Sequence, residues 1–136
     1  MFSIGELSRL TAVKIPTIRY YEQVGLITPN RSAGNQRRYD QEGLKRLSFI
    51  RHARELGLSI SAIIELTRLS DNPVMPCTKA HQLAASHLQS VEMRIDKLKK
   101  LQKELQRIVS ACNSDHIGEC YVIGALADHE LCSGEH

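Results

Sequence analysis

The chain has no tryptophan, and its four tyrosines and two phenylalanines make up only 4% of 136 residues. That scarcity excludes a large aromatic core and predicts a small, mainly aliphatic one. No apolar run reaches membrane-spanning length, and no basic-then-apolar leader opens the chain, so the cytosol is the expected compartment and no membrane partner is expected. There is no glycine-rich phosphate loop, no nucleophile–base pair and no pair of catalytic carboxylates, so an enzyme is not expected. Internal repeats are absent. Prolines are few, and two of the four, Pro73 and Pro76, fall in one short stretch that reads as a linker. Four cysteines in a reducing compartment point to metal binding, redox chemistry or simple burial rather than to disulfides.

What is present is unevenly distributed. The net charge of +3 conceals a basic first half, with 11 Lys+Arg against 6 Asp+Glu over residues 1–70, and an acidic second half, 7 against 9. A basic half suits a polyanionic partner, although a solvated surface looks the same by charge alone. Ser3-Ile4-Gly5-Glu6 is a capping-box pattern that predicts a helix start. A break near Thr11-Ala12 and a second helix from Ile15-Pro16 to Gly25 give two short helices joined by a tight turn, a helix-turn-helix. Leu26 to Pro29 and Gln36 to Tyr39 read as two strand-like pieces around a Ser/Gly/Asn turn, a candidate wing. Asp40 is placed to cap a third helix through Leu56, Gly57 to end it, and Ser59 to cap a fourth from Ile60 to Leu69.

A helix from Thr78 to Ala111 then carries Ala84, Leu88, Val91, Ile95, Leu98, Gln102, Leu105, Val109 and Cys112 at alternating spacings of four and three. This is a heptad seam, and too little other sequence remains to cover so long a helix within one chain. Cys77 stands at its start and Cys112 at its end, with Cys120 in a polar turn beyond. At about 1.5 Å per residue a straight helix keeps Cys77 and Cys112 roughly 50 Å apart. Two antiparallel copies bring the start of one helix to the end of the other, so the spacing predicts a thiolate metal site completed across a homodimer. Three thiolates form a soft site suited to zinc, cadmium, lead or mercury. A helix start such as that at Cys77 also favours an anionic ligand.

Ile18-Arg19-Tyr20-Tyr21-Glu22, Gly25-Leu26-Ile27 and Pro29, followed by Arg37-Arg38-Tyr39, Leu44, Leu47, Ile50, Leu56-Gly57-Leu58 and the long helix, resemble the MerR family of transcription regulators over essentially the whole chain. The resemblance implies a mainly α fold: a winged helix-turn-helix over 1–70, a linker over 71–77, an antiparallel coiled-coil dimerisation helix over 78–111, and a metal-binding loop, short helix and tail over 112–136. It implies DNA contacts from Arg19 and Tyr20 on the recognition helix and from Arg37, Arg38 and Tyr39 on the wing. Lys14 and Thr17 are placed for the same role near the helix start, and Arg31 and Arg54 are further candidates. This chain has Gln36 where many members carry an aromatic. Cys112 and Cys120 map onto the loop pair of the family's metal sensors, and Cys77 maps onto the third ligand that divalent sensors take from the other subunit. Copper sensors typically have serine there, so Cys77 argues for a divalent ion, with zinc or cadmium first and lead or mercury next. The family's mode implies a homodimer on promoter DNA that distorts an over-long spacer for RNA polymerase at efflux or detoxification genes.

His81, His87, His116, His129, Cys132 and His136 are candidates for an auxiliary site, with His87 and the tail ligands foremost; otherwise they are solvated polar groups. Two other readings remain open: a redox-sensing regulator, and a basic metal carrier without sequence-specific DNA binding. An iron–sulfur version needs four closely spaced loop cysteines, and only two are present.

Overall fold

Ser3 starts the first helix as its sequence predicts. In the computed structural model, which describes residues 1–31, 34, 36–113 and 115–128, the Ser3 hydroxyl accepts from the Glu6 amide at 3.2 Å and donates to the Glu6 carboxylate at 3.2 Å. This satisfies one of the free amides of a new helix. The helix, α1 (Ile4–Thr11), ends at Ala12, whose left-handed backbone (φ 58°) turns the chain into α2 (Ile15–Gln23), with Pro16 in the first turn. Gly25 (φ 82°) and Gly57 (φ 84°) occupy the left-handed region after α2 and after the third helix, where a side chain would be strained. Asp40 caps α3 (Gln41–Glu55) through the Gly43 amide at 2.9 Å, and Ser59 caps α4 (Ile60–Ser70) through Ala62 at 3.2 Å.

The wing differs in detail from the sequence reading. Its strands are β1 (Asn30–Arg31) and β2 (Arg37–Arg38), antiparallel, with Asn30 opposite Arg38 and Arg31 opposite Arg37. Leu26 and Ile27 are not strand residues. Both are buried in the core, where their apolar surface is worth more than one further ladder bond. A backbone bridge between Phe2 and Tyr39 fastens the amino end to the base of the wing, with bonds of 2.6 and 2.8 Å.

The core of this unit is aliphatic, as the poverty of aromatics predicts: Leu7, Ile18, Leu47, Ile50 and Ile63 are fully buried, with Tyr21 and Tyr39 the aromatic members. Leu47 is expected to be critical. Leu47→Ala should lower stability by about 2–5 kcal/mol, read as a fall in the urea midpoint with unchanged slope.

Helix α5 (Thr78–Ala111) runs for 34 residues, about 50 Å at 1.5 Å per residue. The chain divides into two compact units, Met1–Leu83 and Ala84–His136. In the first, Lys79 pairs with Glu65 at 3.4 Å and ties the start of α5 to α4. In the second, α5 is followed by a 3-10 turn (Ile117–Glu119) and α6 (Tyr121–Ala127). Leu88, Ile95, Leu98, Leu105 and Val109, all on the predicted seam, are 45–66% exposed in the single chain. No helix among the described residues is long and apolar enough to cross a membrane.

Candidate functional site

Burial of Ile18 and Tyr21 fixes which face of α2 points outward. Lys14, at the cap position, and Arg19 and Tyr20 are exposed, with Thr17 half-buried between them. Hydroxyl, ammonium and guanidinium donors thus share the outer face of one short helix, as a helix entering a DNA groove requires. From the wing, Arg37 Nε donates to Glu22 Oε2 at 2.9 Å and locks β2 to α2. A guanidinium has five N–H donors, so this bond leaves the outer nitrogens available for phosphate. Arg38 Nη2 donates to Gln36 Oε1 at 3.4 Å, which gives Gln36 a task in place of the aromatic expected there. Arg31 stands opposite Arg37 in the register.

Two expected DNA contacts also serve the fold. Tyr39 is fully buried, so its ring belongs to the core and not to the wing's outer surface; in a chain this poor in aromatics, the core takes the large apolar body first. Arg54 Nη1 donates to the Leu58 carbonyl at 2.8 Å and closes the α3–α4 turn, while the residue as a whole stays exposed. Arg51, which the sequence did not single out, donates to the Thr11 carbonyl at 2.7 Å and holds the helix-turn-helix corner. A lone arginine on a charged helix face carried no signal of that.

The second unit brings two of the predicted ligands together. Cys112 leaves the last turn of α5, its amide bonded to the Val109 carbonyl at 3.2 Å. Cys120 ends the 3-10 turn and its carbonyl accepts from Gly124 at 3.0 Å, opening α6. The two sulfurs lie 3.6 Å apart as free thiols. Thiolates sharing a tetrahedral ion at about 2.3 Å stand about 3.8 Å from each other, whereas a linear pair at that bond length spans about 4.6 Å. At 3.6 Å the two sulfurs are close enough to bind one soft metal ion together. Among the described residues of one chain, no third His, Cys, Asp or Glu joins them in a metal-binding group. Cys77 is exposed at the start of α5, its carbonyl accepting from the His81 amide at 2.9 Å. His81 is exposed, His87 is half-buried on α5, and the His116 carbonyl accepts from Glu119 at 3.1 Å within the loop. The candidates His129, Cys132 and His136 lie outside the described residues.

Beside the thiols lies a cluster absent from the sequence reading. Glu104 is buried in α5 and accepts from Arg107 Nη2 at 2.5 Å. Arg107 Nη1 donates to the Tyr121 hydroxyl at 2.6 Å, and its guanidinium carbon lies 5.7 Å from the centre of the Tyr121 ring. The hydrogen bond to Glu104, and after it that to Tyr121, holds the Arg107 guanidinium charged well above its usual range. The Glu-Arg spacing of three was a visible signal, but it resembles any surface ion pair.

A winged helix-turn-helix with a basic outer face, followed by a long helix that ends in a thiol pair, defines a DNA-binding transcription regulator and not an enzyme. The chain belongs to the MerR family: the family description "MerR HTH family regulatory protein" matches residues 2–69, and "MerR, DNA binding" matches residues 44–108. It is 35% identical to a probable heavy metal-dependent transcriptional regulator of Haemophilus influenzae, over 91% of this chain and 98% of that one. It is 40% identical to the transcriptional regulator ZntR of Escherichia coli K12, over 82% and 81%. Among solved structures it resembles the regulator PbrR691 of Ralstonia metallidurans CH34 in complex with lead(II), with a TM-score of 0.80, 34% identity, and coverage of 93% of this chain and 99% of that one.

Proposed function

We propose that this protein is a cytoplasmic, metal-responsive regulator that binds a promoter as a homodimer and activates heavy-metal efflux or detoxification genes by reshaping the DNA for RNA polymerase. The observation that carries this reading is the 3.6 Å pairing of the Cys112 and Cys120 sulfurs at the end of α5. Residues 1–70 serve as the DNA-binding domain, 71–77 as linker, 78–111 as the dimerisation helix, and 112–136 as the loop, short helix and tail that receive the effector. The bare stripe from Leu88 to Val109 supports an antiparallel second copy, since a seam half to two-thirds exposed in the single chain needs a partner. Cys77 of that second copy is the third ligand. Cys112 and Cys120 set the soft, bent donor pair, which favours zinc or cadmium and accommodates lead or mercury. His87 with His129, Cys132 and His136 form the candidate second site, with His81 and His116 as further donors.

The deciding experiment is metal stoichiometry and affinity on the dimer across zinc, cadmium, lead, mercury and copper(I), paired with transcription in vitro. A divalent preference with metal-dependent transcripts is the expected result. A copper(I) preference sinks the divalent assignment, and oxidant-driven activation without metal moves the thiols to a redox role. Arg19→Ala is expected to weaken promoter binding by about 1–3 kcal/mol and to reduce its salt dependence if the contact is to phosphate, with cadmium affinity unchanged. A gel-shift titration at two salt concentrations checks it.

A further inference from the structure

The Glu104–Arg107–Tyr121 cluster lies next to the thiol pair without supplying a donor to it. Tyr121 follows Cys120 directly and is the first residue of α6. Whatever fixes Tyr121 therefore fixes the backbone that carries the second sulfur. The fixture is Arg107: one side of its guanidinium is bonded to the Glu104 carboxylate through Nη2 at 2.5 Å and Nε at 3.4 Å, and the other side donates to the Tyr121 hydroxyl at 2.6 Å. Glu104 is 5% exposed, an unusual place for a carboxylate on an otherwise solvated helix. A buried charge is retained at a cost unless it is paired, and this one is paired with Arg107. Eight residues before Cys120, Cys112 is fixed by the end of the same α5 that carries Glu104 and Arg107. The cluster thus ties both sulfur-bearing segments to one rigid helix.

We propose that Glu104, Arg107 and Tyr121 form a latch that positions Cys120 opposite Cys112, so that the loop is held ready for its ligand before any ligand arrives. The latch rests on the metal-sensing reading given above, and it makes Arg107 and Tyr121 positioning residues rather than ligands. Without it, α6 and Cys120 lose the hydrogen bond that ties them to α5, and the two thiols meet less often. Groups that orient ligands from behind are typically worth about 10–100-fold in metal affinity. Tyr121→Phe removes only the hydroxyl that Arg107 holds, and Arg107→Lys keeps the charge while losing the planar fork.

The full-length dimer tests this in two ways. The first is free of metal: the rate at which diamide joins Cys112 to Cys120, followed by peptide mapping of that one disulfide. The second is cadmium affinity by chelator competition. Tyr121→Phe and Arg107→Lys are expected to slow the disulfide several-fold and to weaken cadmium binding about tenfold, with helix content by circular dichroism and promoter affinity unchanged. Parental rates and affinities in both variants overturn the latch. If the parent binds no cadmium yet the variants still slow the disulfide, the latch stands and the metal reading falls. If a variant loses helix content, Glu104→Gln decides: it keeps the shape of the carboxylate and removes its charge, and a parental disulfide rate there overturns the proposal.

Discussion

Replacing Cys112 and Cys120 together by serine is expected to abolish the metal response while leaving promoter binding as in the parent. The two sulfurs sit 3.6 Å apart in the Ala84–His136 unit, whereas Lys14, Arg19, Tyr20 and Arg37, the proposed DNA contacts, belong to the Met1–Leu83 unit. The magnitude follows from the ligand count. Structural thiolate sites hold zinc with an apparent free energy of about 10–16 kcal/mol, and in the three-sulfur site proposed above, losing two donors removes several kcal/mol of it, a fall of about a thousandfold or more in affinity. A conformational response draws on the difference in affinity between two states. Bending promoter DNA costs about 1–6 kcal/mol, so a site weakened this far cannot drive it. In vitro transcription with and without cadmium, alongside a gel shift, measures both halves. Loss of DNA binding together with the metal response would show that the two modules are not separable.

How much of this was legible in the sequence depended on the range over which each signal acts. Ser3, Asp40 and Ser59 cap helices through amides three residues away, and all three caps are where the sequence places them. The bounds of α5 follow from a seam repeated over many turns, a redundant signal. The wing was harder. A strand of two residues carries no period, so nothing local said that Leu26 and Ile27 would be drawn into the core and leave the ladder to Asn30 and Arg31. Tyr39 shows the same limit: a tyrosine after two arginines resembles a surface contact until the shortage of other large side chains places it in the core. At the end of α5, Cys112 and Cys120 were visible because their chemistry is rare. Glu104, Arg107 and Tyr121 were not, because each is an ordinary residue whose role exists only once α6 returns to α5.

The cross-subunit origin proposed for the third ligand makes a prediction that no single-chain site shares. A Cys77→Ser subunit keeps the loop pair and lacks the helix-start thiol; a Cys112→Ser/Cys120→Ser subunit has the reverse deficit. Each homodimer holds incomplete sites only. Exchange between the two gives about half heterodimers by random pairing, and in a symmetric antiparallel dimer each heterodimer rebuilds one complete site and destroys the other. High-affinity cadmium binding is therefore expected to reappear on mixing, at about one quarter of the parental site count. The exposed stripe at Leu98, Leu105 and Val109 supplies the control: Leu98→Asp in both subunits places charge on the seam, should prevent exchange, and should leave the mixture as inactive as its components. Equilibrium dialysis of the mixture against cadmium, with dimerisation followed by sedimentation, reads both. If the mixture binds no more cadmium than the average of its parts, Cys77 is not a ligand supplied by the partner, and the helix-start thiol has some other use.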